Sequence, residues 1–386
     1  MAAASNKSNT PEKGVKPPSG FGVIAPIALG MGVCFGFALE KGRVFEPSVI
    51  IDQMLFHRFQ MMKMFLSAVT TSMVVMSTLR AFKRTAPYAE HSRAHFFAAP
   101  RGLPSVALGT ALLGVGMSIG GACPGTTIIQ LGAGVNQGLF IVLGGLMAAG
   151  LYSYYESVFR PFIAVGRPQP ANRTLDKMAG TSYARVALPM ALALAAIVGG
   201  LEWVRPWYED VGLSRAESLP AHLSLASVLA MKAWPPQIAG IIVGLLQIPA
   251  VLLLTVTLGS ASSFATVAIN MIYGVCPRAV ESSQYMSSLR SGLALWQPTY
   301  LLGAMAGAFL SATLSGTWGT VTGLAPLPAF LAGFLLVGGA RLANGCTSGH
   351  GISGMANLAT VSFVAVPAMF GGAIATAFAL KALGYY

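Results

Sequence analysis

The chain has 386 residues, 54% of them hydrophobic and only 9% Asp, Glu, Lys or Arg. A soluble domain carries about 25% charged residues, so lipid, not charge, must cover this surface, and a water-soluble fold is excluded. The formal charge of +12 would suggest nucleic acid in a soluble protein. Here the bases sit in short connections between apolar runs, which is how loops rest on phospholipid headgroups: Lys83, Arg84, Arg93 and Arg101 in one, Arg160, Arg167, Arg173, Lys177 and Arg185 in another. Nucleic acid is therefore set aside as a partner, and membrane lipid is expected.

In chain order, residues 1–20 are polar and rich in Pro, Ser and Lys, and read as a disordered tail. Phe21–Leu39 is long enough to span the hydrocarbon core, which takes about 20 residues, and ends at a charged tip holding Glu40, Lys41, Arg43 and Glu46, expected at an interface. Ile50–Gln60 reads as a short interfacial helix, Met61–Phe82 as a second span and 83–102 as a polar loop. In Met61-Met62-Lys63-Met64 the methionines read as packing, not as a metal site. Leu103–Leu151 is too long for one helix and reads as two segments meeting at a turn over Gly120–Gly125. Residues 152–183 are polar and hold the boundary between halves. Then come Ala184–Val204, a 205–234 loop with interfacial tryptophans, Pro236–Leu258, a short piece Ala265–Val275, and Thr299–Leu314, Pro328–Gly339 and Val361–Leu380.

The expectation is an all-α integral membrane protein, multi-pass, in the plasma or cytoplasmic membrane. It would have about nine spanning helices plus short half-helices, since irregular backbone at membrane depth is tolerated only where it lines a cavity. An offset of 223 residues lays Cys123 on Cys346, Leu112 on Leu335 and Gly116 on Gly339. That suggests two inverted pseudo-repeats, 21–160 and 184–386, joined by a linker at 161–183, with binding near the bilayer midplane at discontinuous helices from both.

Two stretches carry the chemistry, Gly120-Gly121-Ala122-Cys123-Pro124-Gly125-Thr126 and Gly345-Cys346-Thr347-Ser348-Gly349-His350-Gly351. A helix broken inside the membrane exposes unpaired N–H groups and the positive end of its dipole, which an anion can occupy. Pro124 stands where a first helical position would lie. Thr126, Thr127, Thr347 and Ser348 add hydroxyls, and glycines such as Gly121, Gly125, Gly345 and Gly349 allow close backbone approach. A thiol is a weak donor with a soft, polarizable sulfur, suited to an ion that presents both sulfur and charged oxygens. The plain alternative is that buried cysteine packs as a small hydrophobe, and it applies also to Cys34 and Cys276. His350 could serve the anion or donate to a backbone carbonyl, and Arg341 could attract anions or snorkel to headgroups. The cysteine spacings match no zinc pattern, no nucleotide-binding loop is present, and neither a cofactor nor a catalytic acid–base pair is expected.

The run Arg341–Gly354, with Asn344, Gly345 and Cys346 inside it, resembles the YeeE/YedE sulfur-transport family; Gly120–Thr126 is a second mark, and Leu258–Phe264, which holds Ser262 and Ser263, and Lys41-Gly42-Arg43 are weaker ones. The resemblance covers most of 21–380. It implies an inverted-repeat membrane protein with short helices dipping in from both faces. It also implies thiosulfate uptake, with Cys123 and Cys346 touching the ion in turn; a soluble sulfur-accepting protein is a partner that uptake of such an ion could serve. A third path cysteine in such proteins follows the charged tip of the first helix. Here that place reads Val44-Phe45-Glu46, and Cys34 is the candidate substitute. Two other functions fit the residues: a membrane sulfur relay in which Cys346 becomes a persulfide with His350 as its base, and a channel for small solutes.

Overall fold

The structure, a computed structural model, describes residues 20–99, 101–214 and 224–385. Apart from Gly20, the polar 1–20 stretch lies outside them. The chain is 76% helical with no strand among the described residues. The first half contains α1 Phe21–Lys41, α2 Pro47–Met54, α3 Gln60–Ala81, α4 Ala86–Ala98, α5 Leu103–Gly120, α6 Thr126–Gly132, α7 Gln137–Tyr154 and α8 Glu156–Ala164. Next comes α9 Leu175–Met178. There follow α10 Tyr183–Val204, α11 Trp207–Asp210, α12 Leu225–Ala230, α13 Pro236–Leu245, α14 Gln247–Leu253, α15 Ala261–Val275, α16 Pro277–Glu281, α17 Gln284–Ser288, α18 Trp296–Leu314 and α19 Pro326–Leu342. A π-helical turn over Thr347–Gly354 and α20 Thr360–Ala382 complete it.

Eight of these helices, counting α13–α14 as one, are long and apolar enough to cross a membrane among the described residues. A ninth arises if α19 and the π-helical turn, bent by 46°, form one broken span. The chain is thus a multi-pass integral membrane protein. In its core α1 packs on α18, α3 on α13, α5 on α19 and α20, and α7 on α19. Close approach comes from small residues. A methyl group on Gly36 would collide with the Ala304 carbonyl, and one on Gly303 with that of Leu29. The helix α10 packs one face on α3 and leaves most of its surface exposed.

The bundle has two ends. At one, α1 finishes and Lys41 meets Trp234, whose N–H donates to its carbonyl at 2.7 Å. The α3 start meets the α10 end there, through Lys63 paired with Glu202 at 2.9 Å and Asp210 at 3.3 Å. At the other end Arg101 precedes α5, Gly102 N–H donates to Ile163 at 2.7 Å, and α20 begins against Arg173. Four of the left-handed residues stand just after helix ends: Arg43 (φ 54°) after α1, Thr255 (57°) after α14, Gly121 (52°) after α5 and Asn344 (51°) after α19.

Several expectations are corrected. Residues 83–102 are not simply a loop but contain α4. The short helix is Pro47–Met54, and it is buried in protein, with Val49 and Ile50 almost inaccessible. The charged tip is not at an interface: Glu40 and Lys41 are 0% exposed. Thr317 donates to the Glu40 carboxylate at 2.9 Å, and Lys41 Nζ donates to the Met231 carbonyl at 2.7 Å. Buried charges persist only when paired and hydrogen-bonded. Arg341 does not snorkel: it is 4% exposed, with its guanidinium 5.9 Å from the Tyr152 ring centre.

Candidate functional site

Both cysteines stand at the starts of broken helices, with their carbonyls accepting the first helical hydrogen bond. The Cys123 carbonyl accepts from Thr127 N–H at 3.0 Å, which makes Cys123 the cap and Pro124 the first helical position in hydrogen-bond terms. Its sulfur receives Thr126 N–H at 3.4 Å, while Cys123 N–H donates to Thr126 Oγ1 at 2.7 Å. This reciprocal pair is a capping box with a thiol in the serine position. The Cys346 carbonyl likewise accepts from His350 N–H at 2.8 Å, but its thiol meets the hydroxyls of Ser348 and Ser260 and makes no capping hydrogen bond to the turn. Cys123 Sγ therefore accepts from a first N–H of its helix, and both sulfurs lie at a helix start, where partial positive charge is concentrated.

The two turns come together at a third helix start, Ser260 before α15. Ser260 Oγ is 3.5 Å from Cys346 Sγ and 3.3 Å from Ser348 Oγ, and Cys346 Sγ is 3.2 Å from Ser348 Oγ. From the other turn, a methyl group on Gly125 would stand 3.6 Å from Ser260 Oγ and 3.6 Å from the Phe35 ring. Ser353 ties α15's approach to the π-helical turn: its hydroxyl donates to the Leu258 carbonyl at 2.8 Å and receives Gln247 Nε2 at 2.8 Å.

A cavity lies on each side of this knot. The outer one, about 170 Å³, is reached from the Arg101 end; its wall includes Arg101, Phe96, Ser260, Ser262, Trp296, Gln297 and Asn344–Cys346. The inner one, about 50 Å³, includes Phe35, Met61, Met64, Cys123, Gly125, Thr126, Thr347 and Ser348 in its wall. Cys346 faces the first and Cys123 the second, with Ser260 and Ser348 between. Arg101 donates from Nε to the Asn344 carbonyl at 3.0 Å and stacks on Phe96, 4.2 Å from the ring centre. Burial, then the charges of Arg341 and Arg167, lower its pKa to about 10, so it remains a cation at neutral pH.

Of the residues expected at the site, Cys123, Gly125, Thr126, Asn344, Gly345, Cys346, Thr347, Ser348, Gly349 and Ser262 line one cavity or the other. Four of the remaining ones take supporting or outer positions. Gly121 abuts Pro47 behind the turn. Ser263 Oγ turns back to the Ser260 carbonyl at 2.7 Å. His350 is committed to the turn itself, with Nε2 3.1 Å from the Ala343 carbonyl and Nδ1 3.3 Å from Ser362 Oγ. Cys34 is exposed and lines neither cavity, and Cys276 is exposed as well. Sequence reasoning missed Ser260, Arg101, Phe35, Met61 and Met64 as wall residues. Only Ser260, inside a Gly/Ser-rich helix break, carried a local signal.

Three helix starts thus meet at thiols and hydroxyls inside a bundle of apolar, membrane-length helices. The chain belongs to the sulphur-transport family, YeeE/YedE, which it matches over residues 41–375. The membrane architecture and the family together make it a sulfur transporter. No curated protein matches the chain.

Proposed function

We propose that this chain is a permease for thiosulfate or a closely related sulfur-containing anion, passed from Cys346 to Cys123 across the knot at Ser260. The observation that carries the reading is that one constriction, with Cys346 Sγ, Ser260 Oγ and Ser348 Oγ 3.2–3.5 Å apart, separates a cavity faced by one cysteine from a cavity faced by the other. Anionic oxygens are held by backbone N–H groups at the helix starts and by the hydroxyls, and the sulfur by the thiols. None of these contacts is a full opposite charge, and weak, repeated binding suits passage. Arg101 raises the local anion concentration at the outer mouth. Cys34 is left outside this path.

The two halves, 21–160 and 184–386, act as inverted copies. In support, α1 on α18 answers α13 on α3, and α5 on α20 answers α19 on α7. Gly121 and Asn344 share the left-handed conformation at the 223-residue offset that superposes the cysteines. The persulfide-relay alternative is weaker because His350, its required base, is hydrogen-bonded to Ala343 and Ser362.

The test is uptake of labelled thiosulfate by proteoliposomes holding the full chain. Wild type accumulates it; Cys346→Ala lowers the rate roughly a hundredfold, equal to about 2.7 kcal/mol, and Cys123→Ala about tenfold. Equal uptake in all three would sink the proposal.

A further inference from the structure

The inner cavity contains a feature that the permease reading does not by itself require. Met61 and Met64 lie one turn apart on α3 and share a face. Both are buried, and both line the inner cavity together with Cys123. Met62, between them, is outside that wall. No charged side chain lines it either. The hydroxyls there, Thr126, Thr347 and Ser348, come from the two cysteine turns; α3 brings thioethers, which donate no hydrogen bond.

An ion entering this space sheds most of its water. A void needs about 10–15 Å³ per water, so a cavity of about 50 Å³ holds one small ion or a few waters, not a hydrated ion. Sulfate turns oxygen outward in every direction, and an ionic oxygen without a donor is costly in such a place. An ion with one terminal sulfur and three oxygens can direct its oxygens to the turns and its sulfur to α3. There the polarizable thioethers of Met61 and Met64 meet a soft, weakly hydrated atom without needing a proton.

The geometry points to Met61 and Met64 as the subsite that recognises the terminal sulfur and so selects sulfur-terminated anions over sulfate. The proposal rests on the permease reading and deepens it. The experiment is competition in proteoliposomes: labelled thiosulfate uptake is titrated with unlabelled thiosulfate and with unlabelled sulfate, and the ratio of half-inhibiting concentrations is taken within each preparation. Loss of folded protein cancels in that ratio, and Met→Leu nearly conserves volume. The Met61→Leu/Met64→Leu double variant lowers the preference for thiosulfate roughly tenfold, while Met62→Leu leaves it at the wild-type value. An unchanged ratio in the double variant, with wild-type uptake intact, overturns the subsite and leaves the permease standing. Wild-type vesicles that accumulate no thiosulfate overturn both.

Discussion

The Cys123 and Cys346 turns each place a thiol at a helix start, but they are braced by different chemistry. Behind Cys123 stand two neutral amides. Gln130 donates to the Phe45 carbonyl at 2.8 Å and the Gly121 carbonyl at 2.9 Å, and Gln137 donates to the Gly120 carbonyl at 2.9 Å and to Gln130 at 3.0 Å. Behind Cys346 stands an ion pair. Arg93 grips Asp176 through both guanidinium ends, at 2.6 and 3.2 Å, and reaches the Asn357 carbonyl at 3.3 Å, where the π-helical turn closes. What the turns share, a sulfur on a helix start, is what an anion path needs. What differs is how the surrounding helices hold that sulfur in place, and the difference makes the two turns separable by experiment.

The largest stability effect is expected at the ion pair. Removing one member of a buried pair leaves the other uncompensated, so Asp176→Asn lowers stability by about 3 kcal/mol, read as a drop in thermal midpoint in detergent. Acid should act on the same turn. Although burial pushes the Asp176 carboxyl up, the hydrogen bond and charge of Arg93 win and hold it below its ordinary value of 3.8. A depressed carboxyl stabilises the fold above its unfolded pKa. That stability is kept from neutral pH down to about 4 and is lost as pH falls through the folded value. Cys346 should gain solvent reactivity in that window, while Cys123, braced by amides, should not. Equal acid sensitivity of the two thiols would erase the contrast.

A pair of glycines in the Cys123 turn sharpens it further. Gly121 has φ +52°, and a methyl group there would collide with Pro47, so Gly121→Ala costs about 2 kcal/mol through strain and displaced backbone. Gly125 has φ −80°, and its methyl group would meet Ser260 and Phe35 at ordinary contact distance. Gly125→Ala therefore changes stability by less than about 1 kcal/mol, yet it fills the side of the passage opposite Cys346. The expected outcome is a normal thermal midpoint with thiosulfate uptake reduced several-fold; normal uptake would place the passage elsewhere.

Much of this was legible in the sequence because membrane physics leaves strong marks. The eight to nine spans followed from apolar runs alone, and both cysteine turns from glycine and proline inside such runs. The failures share a cause. Glu40 and Lys41 read as an interfacial cluster because charge in an apolar chain normally sits there, whereas backbone and hydroxyl partners from distant segments hydrogen-bond them inside the protein. Met61 and Met64 read as packing because their role depends on which helices enclose a cavity, and periodicity does not report that. Ser260 gained its place only when α15, far along the chain, brought it within 3.5 Å of Cys346.

If Cys123 and Cys346 border one passage occupied by a sulfur-bearing anion, that anion shields both thiols at once. The most direct measurement is the rate at which a small membrane-permeant alkylating reagent modifies each of them, by mass spectrometry, in a Cys34→Ala/Cys276→Ala background that removes the two exposed thiols. Thiosulfate should slow both reactions together over one concentration range, with sulfate far less effective. Rates for both cysteines that are the same with and without thiosulfate would contradict the account.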